Sequence, residues 1–115
     1  MIGFTSAGGG GKIIIPELVG YRSNTGVGGD VASSVTIDSS YHHKIKIGAA
    51  SIVYNEHNYF EVLGSNDRSS WTSLLKLYSS TSSISDLSIS YTYIKFVIAV
   101  IVSNNTTTVS NIEIS

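Results

Sequence analysis

Short stretches of alternating apolar and polar residues are the clearest pattern along this chain. Residues 44–47, 87–91 and 109–114 alternate in this way, and a period of two residues is typical of β-strands with one buried face. Residues 93–102 are apolar at nearly every position, which predicts a central strand covered on both faces. No stretch keeps apolar residues at the i, i+3, i+4 and i+7 spacing of an amphipathic helix. The pattern therefore predicts an all-β protein.

Polar stretches rich in Asn, Asp and Ser separate these segments. Such side chains bond to the nearby backbone, and Asn and Asp tolerate left-handed conformations, so we place turns at residues 55–58, 65–68 and 103–106. The predicted strands are residues 12–15, 31–38, 44–54, 59–65, 71–78, 84–90, 92–102 and 107–114. Short strands at this spacing predict an antiparallel β-sandwich of the jelly-roll type. We assign residues 31–115 to the sandwich and the Gly-rich residues 1–30 to an N-terminal arm and loop.

The composition of the chain argues against several kinds of partner and chemistry. Charged residues make up only 13% of the chain and the net charge is −1, so we expect no nucleic-acid partner. The chain has no Cys, which excludes disulfides and thiol chemistry. Its longest apolar stretch, residues 94–102, contains Lys95 and is too short to cross a bilayer. No secretory signal is recognisable, so we expect synthesis in the cytoplasm without a signal peptide and no membrane insertion.

The sequence carries little that resembles a catalytic or cofactor site. Residues 8–12 lack the spacing of a phosphate-binding loop, and residues 26–31 lack the last Gly of a dinucleotide fingerprint. His42 and His43 are adjacent and would point to opposite faces of a strand, so we expect them to be solvated loop residues rather than metal ligands. A carboxylate pair for glycoside hydrolysis stays open, but a sandwich of this size has little cleft. We expect a protein without a cofactor that binds a partner or forms part of a larger structure, and that is not an enzyme.

Residues 59–71, YFEVLGSNDRSSW, resemble the strand–turn–strand signature of discoidin-type modules, also called coagulation-factor C-type or sugar-binding family 32 modules. Residues 35–38, 93–98 and 111–114 resemble further strands of that family in the right order. The resemblance covers about residues 35–115 and implies a discoidin-like jelly roll, shortened at its N-terminus. One departure is Arg68, which stands where the family usually has Gly. The turn therefore either avoids a positive φ there or bears strain of about 1 kcal/mol or more.

The resemblance also implies where a ligand binds. In its sugar-binding members, loops at one end of the sandwich present aromatic, Arg, His and Asn side chains to a glycan. The matching residue types here are Tyr21, Arg22, Asn24, Tyr41, His42, His57 and Asn58, together with His43 and Asn55. The alternative is that the tyrosines simply flank strands, and the last loop, residues 103–108, has no aromatic residue. Some members hold a structural calcium ion, for which Asp30 or Asp38 could contribute a ligand, although nothing here has ligand spacing.

Two functions remain open at this point. The first is an accessory or decoration protein of a phage capsid or tail, which contacts protein neighbours and binds host cell-surface glycans. The alternative is a stand-alone carbohydrate-binding adhesin or lectin unrelated to a virion. The absence of both Cys and a signal peptide favours the phage particle. We therefore predict a location in a virion or at an extracellular surface.

Overall fold

The computed structural model describes residues 3–6, 11–22, 33–54, 57–101 and 104–115. The strands in these ranges are β1 (Gly3–Ser6), β2 (Ile13–Tyr21), β3 (Ser33–Asp38), β4 (Lys44–Ser51), β5 (Tyr59–Ser65), β6 (Thr72–Leu77), β7 (Ile84–Ser88), β8 (Tyr93–Ala99) and β9 (Thr106–Ile114). The described ranges contain no helix, and so none long and apolar enough to cross a bilayer.

The strands pair into two antiparallel sheets. One sheet has the order β1-β2-β9-β4-β7, and the other has the order β3-β8-β5-β6. From β2 to β9 the chain passes to the other sheet at every connection except the β5–β6 hairpin. This is the path of an eight-stranded jelly roll with β1 added at one edge. The predicted fold class, an antiparallel β-sandwich, is confirmed.

The N-terminal segment differs from its prediction as an arm and loop. It contributes β1 and β2, and β2 pairs with β9 over its whole length, from Ile13 opposite Ile114 to Tyr21 opposite Thr106. The predicted strand at residues 12–15 therefore continues past Pro16. β1 is joined to β2 by an irregular ladder, and because backbone pairing needs no apolar alternation, the Gly-rich sequence gave no sign of it. The rest of the predicted arm and loop, residues 1–2, 7–10 and 23–30, lies outside the described ranges.

The core lies between the two sheets and takes inward-facing residues from both. The rings of Phe60 and Phe96, from the four-stranded sheet, stack with their centroids 6.3 Å apart. Both rings are fully buried, as are Ile45, Ile112 and Leu18 from the five-stranded sheet. Burial of a side chain of this size contributes about 1.5–3 kcal/mol, so this two-sided core is the main source of stability.

In three neighbouring strands of the five-stranded sheet, the alternation of inward and outward side chains shifts by one residue in the same row of the sheet. The alternation of buried and unburied positions breaks in β2, β4 and β9, where two successive residues are both unburied: residues 16–17, 48–49 and 110–111. The register of β9 with its two neighbours places Pro16 and Gly48 opposite Asn111. Pro16 has no N–H to donate, Gly48 has no side chain, and Asn111 has a φ of 56°. Together they let each strand keep apolar residues on its inner face above and below the irregularity.

The connections between strands gather at two ends of the sandwich. One end, here called the cleft end, carries residues 39–43, 66–71, 89–92 and 115. The other, the opposite end, carries residues 22, 52–54, 57–58, 78–83, 100–101 and 104–105. Because the strands run from one end to the other, the turn in which a loop residue lies decides which end it occupies.

Candidate functional site

A cleft of about 290 Å³ opens at the cleft end of the sandwich. It lies between the turn that joins β3 to β4 and the loop that joins β7 to β8. The described residues that line it are Ser40, His42, His43, Ser90, Tyr91 and Thr92. Its volume is near the lower limit of sites for small molecules, so it suits a small ligand.

Hydrogen bonds join the two walls of the cleft directly to each other. The backbone N–H of Ser39 donates to the carbonyl of Thr92 at 2.7 Å, and the Ser39 hydroxyl donates to the carbonyl of Tyr91, also at 2.7 Å. The N–H of Ile89 donates to the carbonyl of His43 at 2.9 Å. Because both walls share these bonds, the cleft is preformed rather than assembled from two independent loops.

Contacts with β5 and the turn that follows it position the second wall. Gly64 leaves room for the Tyr91 ring, since a Cβ at residue 64 would overlap that ring. The side-chain oxygen of Asn66 accepts hydrogen bonds from the N–H of Thr92 at 2.9 Å and from its hydroxyl at 3.3 Å. Tyr91 and Thr92 are therefore held by a neighbouring connection as well as by the first wall.

His42 belongs to the body of the site rather than to its exposed rim. Its side chain is only 7% exposed, and Nε2 donates to the carbonyl of Gly11 at 2.7 Å, which makes Nδ1 an acceptor in the neutral ring. Nδ1 is buried and has no hydrogen-bond partner among the described residues. His43, by contrast, is exposed. Of these two predicted solvated histidines, only His43 is solvated, while His42 ties the cleft to the residues before β2.

Tyr41 is the exposed aromatic residue beside the cleft. Its side chain is 72% exposed and lies in the same turn as Ser40. Asp38 accepts hydrogen bonds from the hydroxyl and the N–H of Ser40, and these bonds hold the pKa of Asp38 below its ordinary value. The ionised carboxylate fixes the start of this turn, and the turn presents the Tyr41 ring to solvent next to the cleft.

The residues predicted to contact a ligand do not form one site. Tyr41 and His42 lie at the cleft end. The opposite end holds the exposed Tyr21 and His57, the half-buried Arg22 and the buried Asn58. Asn24 and Asn55 lie outside the described residues. Sequence reasoning could not separate these two sets of residues, which lie at opposite ends of the same strands.

Asn58 has a structural role. It is fully buried, and its side-chain nitrogen donates to Asn105 Oδ1 at 2.9 Å and to the carbonyl of Val53 at 3.2 Å. Its side-chain oxygen accepts from the N–H of Ile101 at 2.8 Å. Because both ends of the amide hold backbone or side chains of three different segments, Asn58 braces the opposite end and does not face a ligand.

The turn after β5 is built as the sequence predicts. The hydroxyl oxygen of Ser65 accepts from the N–H of Arg68 at 2.9 Å, and Asp67 Oδ1 accepts from the N–H groups of Ser69 and Ser70, each at 2.8 Å. The bonds from Ser70 and Ser69 keep the pKa of Asp67 below its ordinary value. Arg68 has a φ of 64°, so of the two alternatives for this position the turn bears the left-handed conformation.

A set of cation–aromatic pairs on the outer face of the four-stranded sheet was not identified from the sequence. Lys95 Nζ lies 4.3 Å from the ring centroid of Trp71, and Lys76 Nζ lies 4.1 Å from that of Tyr59. The guanidinium carbon of Arg68 lies 5.1 Å from the ring centroid of Tyr93. The sequence signal for them is modest. Lys76 and Lys95 are each the only charged residue of their strand, at positions that alternate with the core.

Within the described ranges, no group of three or more His, Cys, Asp or Glu side chains could hold a metal ion. Of the two carboxylates considered for calcium, Asp38 is bonded to Ser40, and Asp30 lies outside those ranges. The geometry therefore gives no support to a calcium site.

Comparisons with known proteins identify no relative: no protein-family model matches the chain, and neither curated proteins nor solved structures give a significant match. A function has to be inferred from the cleft and the exposed side chains themselves.

Proposed function

We propose that this protein is a non-enzymatic glycan-binding module of a phage particle, and that the cleft beside Tyr41 receives the glycan. The observation that carries the proposal is the combination of a small preformed cleft, several hydroxyl and imidazole groups in its walls, and one exposed aromatic residue, Tyr41, between the lining residues Ser40 and His42 in the chain. Polar groups that converge in a small preformed pocket are the usual features of a ligand site.

The residues of the cleft suit the chemistry of a sugar. A sugar ring presents C–H groups on its faces and hydroxyl groups around its edge. The Tyr41 ring offers an apolar face for the C–H groups. The hydroxyl of Ser90 can both donate and accept hydrogen bonds, which matches the double role of a sugar hydroxyl. The hydroxyls of Ser40 and Thr92 donate to Asp38 and Asn66 and can still accept a hydrogen bond from a sugar. Because the walls are already bonded to each other, binding loses little further conformational entropy.

A binding role accords better with this lining than a hydrolytic one. Hydrolysis of a glycoside normally requires two carboxyl groups that flank the scissile bond. The described residues that line the cleft include no Asp or Glu. Asp38 is adjacent in sequence to the lining residues, but it accepts hydrogen bonds from Ser40 and orders the turn instead.

The opposite end is our candidate for attachment to protein neighbours in a particle. Val53 is 50% exposed and Tyr54 is 73% exposed there, so two adjacent apolar side chains face solvent on the side away from the cleft. A particle component attached through these residues would present the cleft outward. The alternative is a stand-alone adhesin, and antibody labelling of intact phage particles separates the two locations.

Kinship with discoidin-type modules is part of the same proposal. The antiparallel sandwich and the turn at Ser65 and Asp67 before Trp71 are the features that support it. The resemblance suggested loops at one end of the sandwich as the ligand site, and the cleft end has such loops.

A glycan array tests the binding function. We expect saturable binding of at least one glycan by the wild-type protein. Tyr41→Ala should abolish this binding, because it removes the exposed ring without removing any core contact. Tyr21→Ala is the matched control, since Tyr21 is also an exposed tyrosine but lies at the opposite end, and it should bind as the wild type does.

Calcium and folding controls complete the test. Binding should be the same with added calcium and with a chelator, because no group of three or more His, Cys, Asp or Glu side chains among the described residues could hold a metal ion. Both variants should unfold at the wild-type temperature. A blank array, or equal binding by Tyr41→Ala and the wild type, would overturn the assignment of the cleft.

A further inference from the structure

We propose that the outer face of the four-stranded sheet is a second binding surface, specific for acidic polysaccharides. This surface, here called the cationic face, consists of Arg68, Lys76 and Lys95 with the aromatic rings against which they lie. It is separate from the cleft and does not depend on the glycan proposed for it. The inference is carried by the rings against which the cations lie, the spacing of the cations, the surplus of positive charge, and the ring faces that the cations cover.

The cations of this face are held by rings rather than by carboxylates. Lys76 Nζ lies 4.1 Å from the centroid of Tyr59 and 5.5 Å from that of Tyr78, and Lys95 Nζ lies 4.3 Å from that of Trp71. The ion pair found among the described residues, Lys12 with Glu113, belongs to the other sheet. Lys76 also donates a hydrogen bond to the Tyr78 hydroxyl and lies near Glu61. At Lys95 the Trp71 ring restrains the ammonium group without using its N–H donors as a carboxylate does. Such a cation is positioned in advance and can still bind an anion.

The strand register sets the distance between the two lysines. Lys95 on β8 pairs with Leu63 on β5, and Lys76 on β6 pairs with Glu61 on β5. The lysines are therefore two strands and two residues apart, which places their Cα atoms about 12 Å apart. The two ammonium groups lie over different rings, Lys76 at Tyr59 and Lys95 at Trp71. Two cations on such separate strands favour an extended ligand with repeated negative charges over a single small anion.

The charge of the face differs from that of the whole chain. The chain has a net charge of −1, but three of its cations lie together on this surface. Glu61 is the carboxylate opposite Lys76, and Asp38 lies near Arg68 at the edge of the sheet. Lys95 has no carboxylate opposite it, since its neighbours across the two ladders are Thr36 and Leu63. The surplus positive charge is therefore centred on Lys95.

A single-stranded nucleic acid is the other polymer that aromatic and basic residues on a sheet could bind. Nucleic acids bind such surfaces by stacking bases on free aromatic faces. Here a cation already covers one face of the rings of Trp71, Tyr59 and Tyr93. A polysaccharide needs no such stacking for its carboxylates to contact the lysines, so the arrangement favours the acidic polysaccharide.

Binding of hyaluronan, alginate and polygalacturonate to the full chain, measured by biolayer interferometry, tests this surface. At least one of these carboxylate-bearing polymers should bind, neutral dextran should not, and added salt should weaken binding because the charges are exposed. Lys76→Gln and Lys95→Gln should each reduce affinity about two- to fivefold, and the double variant about tenfold. Lys46→Gln is the matched control, because Lys46 is an exposed lysine on a strand of the other sheet.

Three other outcomes of this binding experiment would contradict an acidic polysaccharide at the cationic face. No binding to any of the three polymers, or binding that the double variant retains in full, would exclude an acidic polysaccharide at this face. Tighter binding to oligothymidylate than to the polysaccharides would identify a nucleic-acid surface instead. Tyr41→Ala should leave polysaccharide binding at the cationic face unchanged, so failure of the cleft assignment and failure of this one can be told apart.

Discussion

The shared irregularity of the five-stranded sheet predicts a strong energetic coupling between Gly48 and Asn111. A Cβ added at residue 48 would lie 2.7 Å from Asn111 Cβ and 3.2 Å from both Asn111 Nδ2 and the Ser110 carbonyl oxygen. Overpacking of this kind costs about 1–3 kcal/mol. Loss of glycine's freedom in the unfolded chain offsets about 0.4–1 kcal/mol of that. We therefore expect Gly48→Ala to lower the free energy of unfolding by about 1–2 kcal/mol.

Removal of the Asn111 side chain should abolish most of this penalty. Asn111 is exposed and has a φ of 56°, a conformation that glycine adopts without strain. Asn111→Gly alone should therefore change stability little. In the double variant the two closest contacts are gone and only Ser110 remains near the new methyl group. The coupling energy of the double-mutant cycle should be about 1–2 kcal/mol.

Urea denaturation of the four proteins measures this coupling, and each kcal/mol should also move Tm by about 4 °C. Asn104→Gly is the matched control, because Asn104 has a φ of 64° but lies in a turn at the opposite end. Its effect should add to that of Gly48→Ala without coupling. Additive effects for Gly48→Ala and Asn111→Gly would refute the interpretation that the two residues are adapted to each other.

Three further predictions concern single residues. Asn58→Ala should lower the free energy of unfolding by about 2–3 kcal/mol in urea, because it leaves buried partners such as the Ile101 N–H unsatisfied; a loss below about 0.5 kcal/mol would contradict the bracing role. Arg68→Gly should be about 1 kcal/mol more stable than Arg68→Ala, since only glycine avoids strain at a φ of 64°; equal stabilities would show that the turn bears none. The lowered pKa of Asp67 contributes stability that is present above its ordinary value of 3.8 and is lost as the pH falls below it. Asp67→Asn should therefore lose less stability than the wild type when thermal unfolding is compared between about pH 5 and pH 2.

The strands after residue 31 could be predicted from the sequence because their alternation reflects burial. The prediction for β5, residues 59–65, agrees with the observed bounds, and that for β9 differs by one residue at its start. In both strands most buried positions carry apolar side chains, with Ser65 and Thr107 as the polar exceptions, and turns rich in Asn or Asp lie next to them. Local pattern and tertiary structure therefore gave the same answer in this part of the chain.

The N-terminal strands could not be predicted in the same way. Pro16 interrupts the alternation of β2 and normally argues against a strand interior. In the same row of the sheet Asn111 has a φ of 56° and Gly48 has no side chain, and with Pro16 they form the shared irregularity of the three strands. Those two residues lie far from Pro16 in the sequence, so the irregularity becomes visible only once the register of β9 with both neighbours is known.

The candidate site shows the same dependence on topology. The sequence pattern gives Tyr21 and Tyr41 the same place beside a strand. The structure shows both side chains exposed. The chain path places them at opposite ends because β2 runs toward one end and β3 runs toward the other. The pairs Lys95 with Trp71 and Lys76 with Tyr59 likewise join residues that are distant in sequence and that the strand order of the sheet brings close together. Strand order and register therefore decide which residues of a β-sandwich come together in a site. A local motif such as the turn at Ser65 can indicate the fold, but it does not determine which residues contact a ligand.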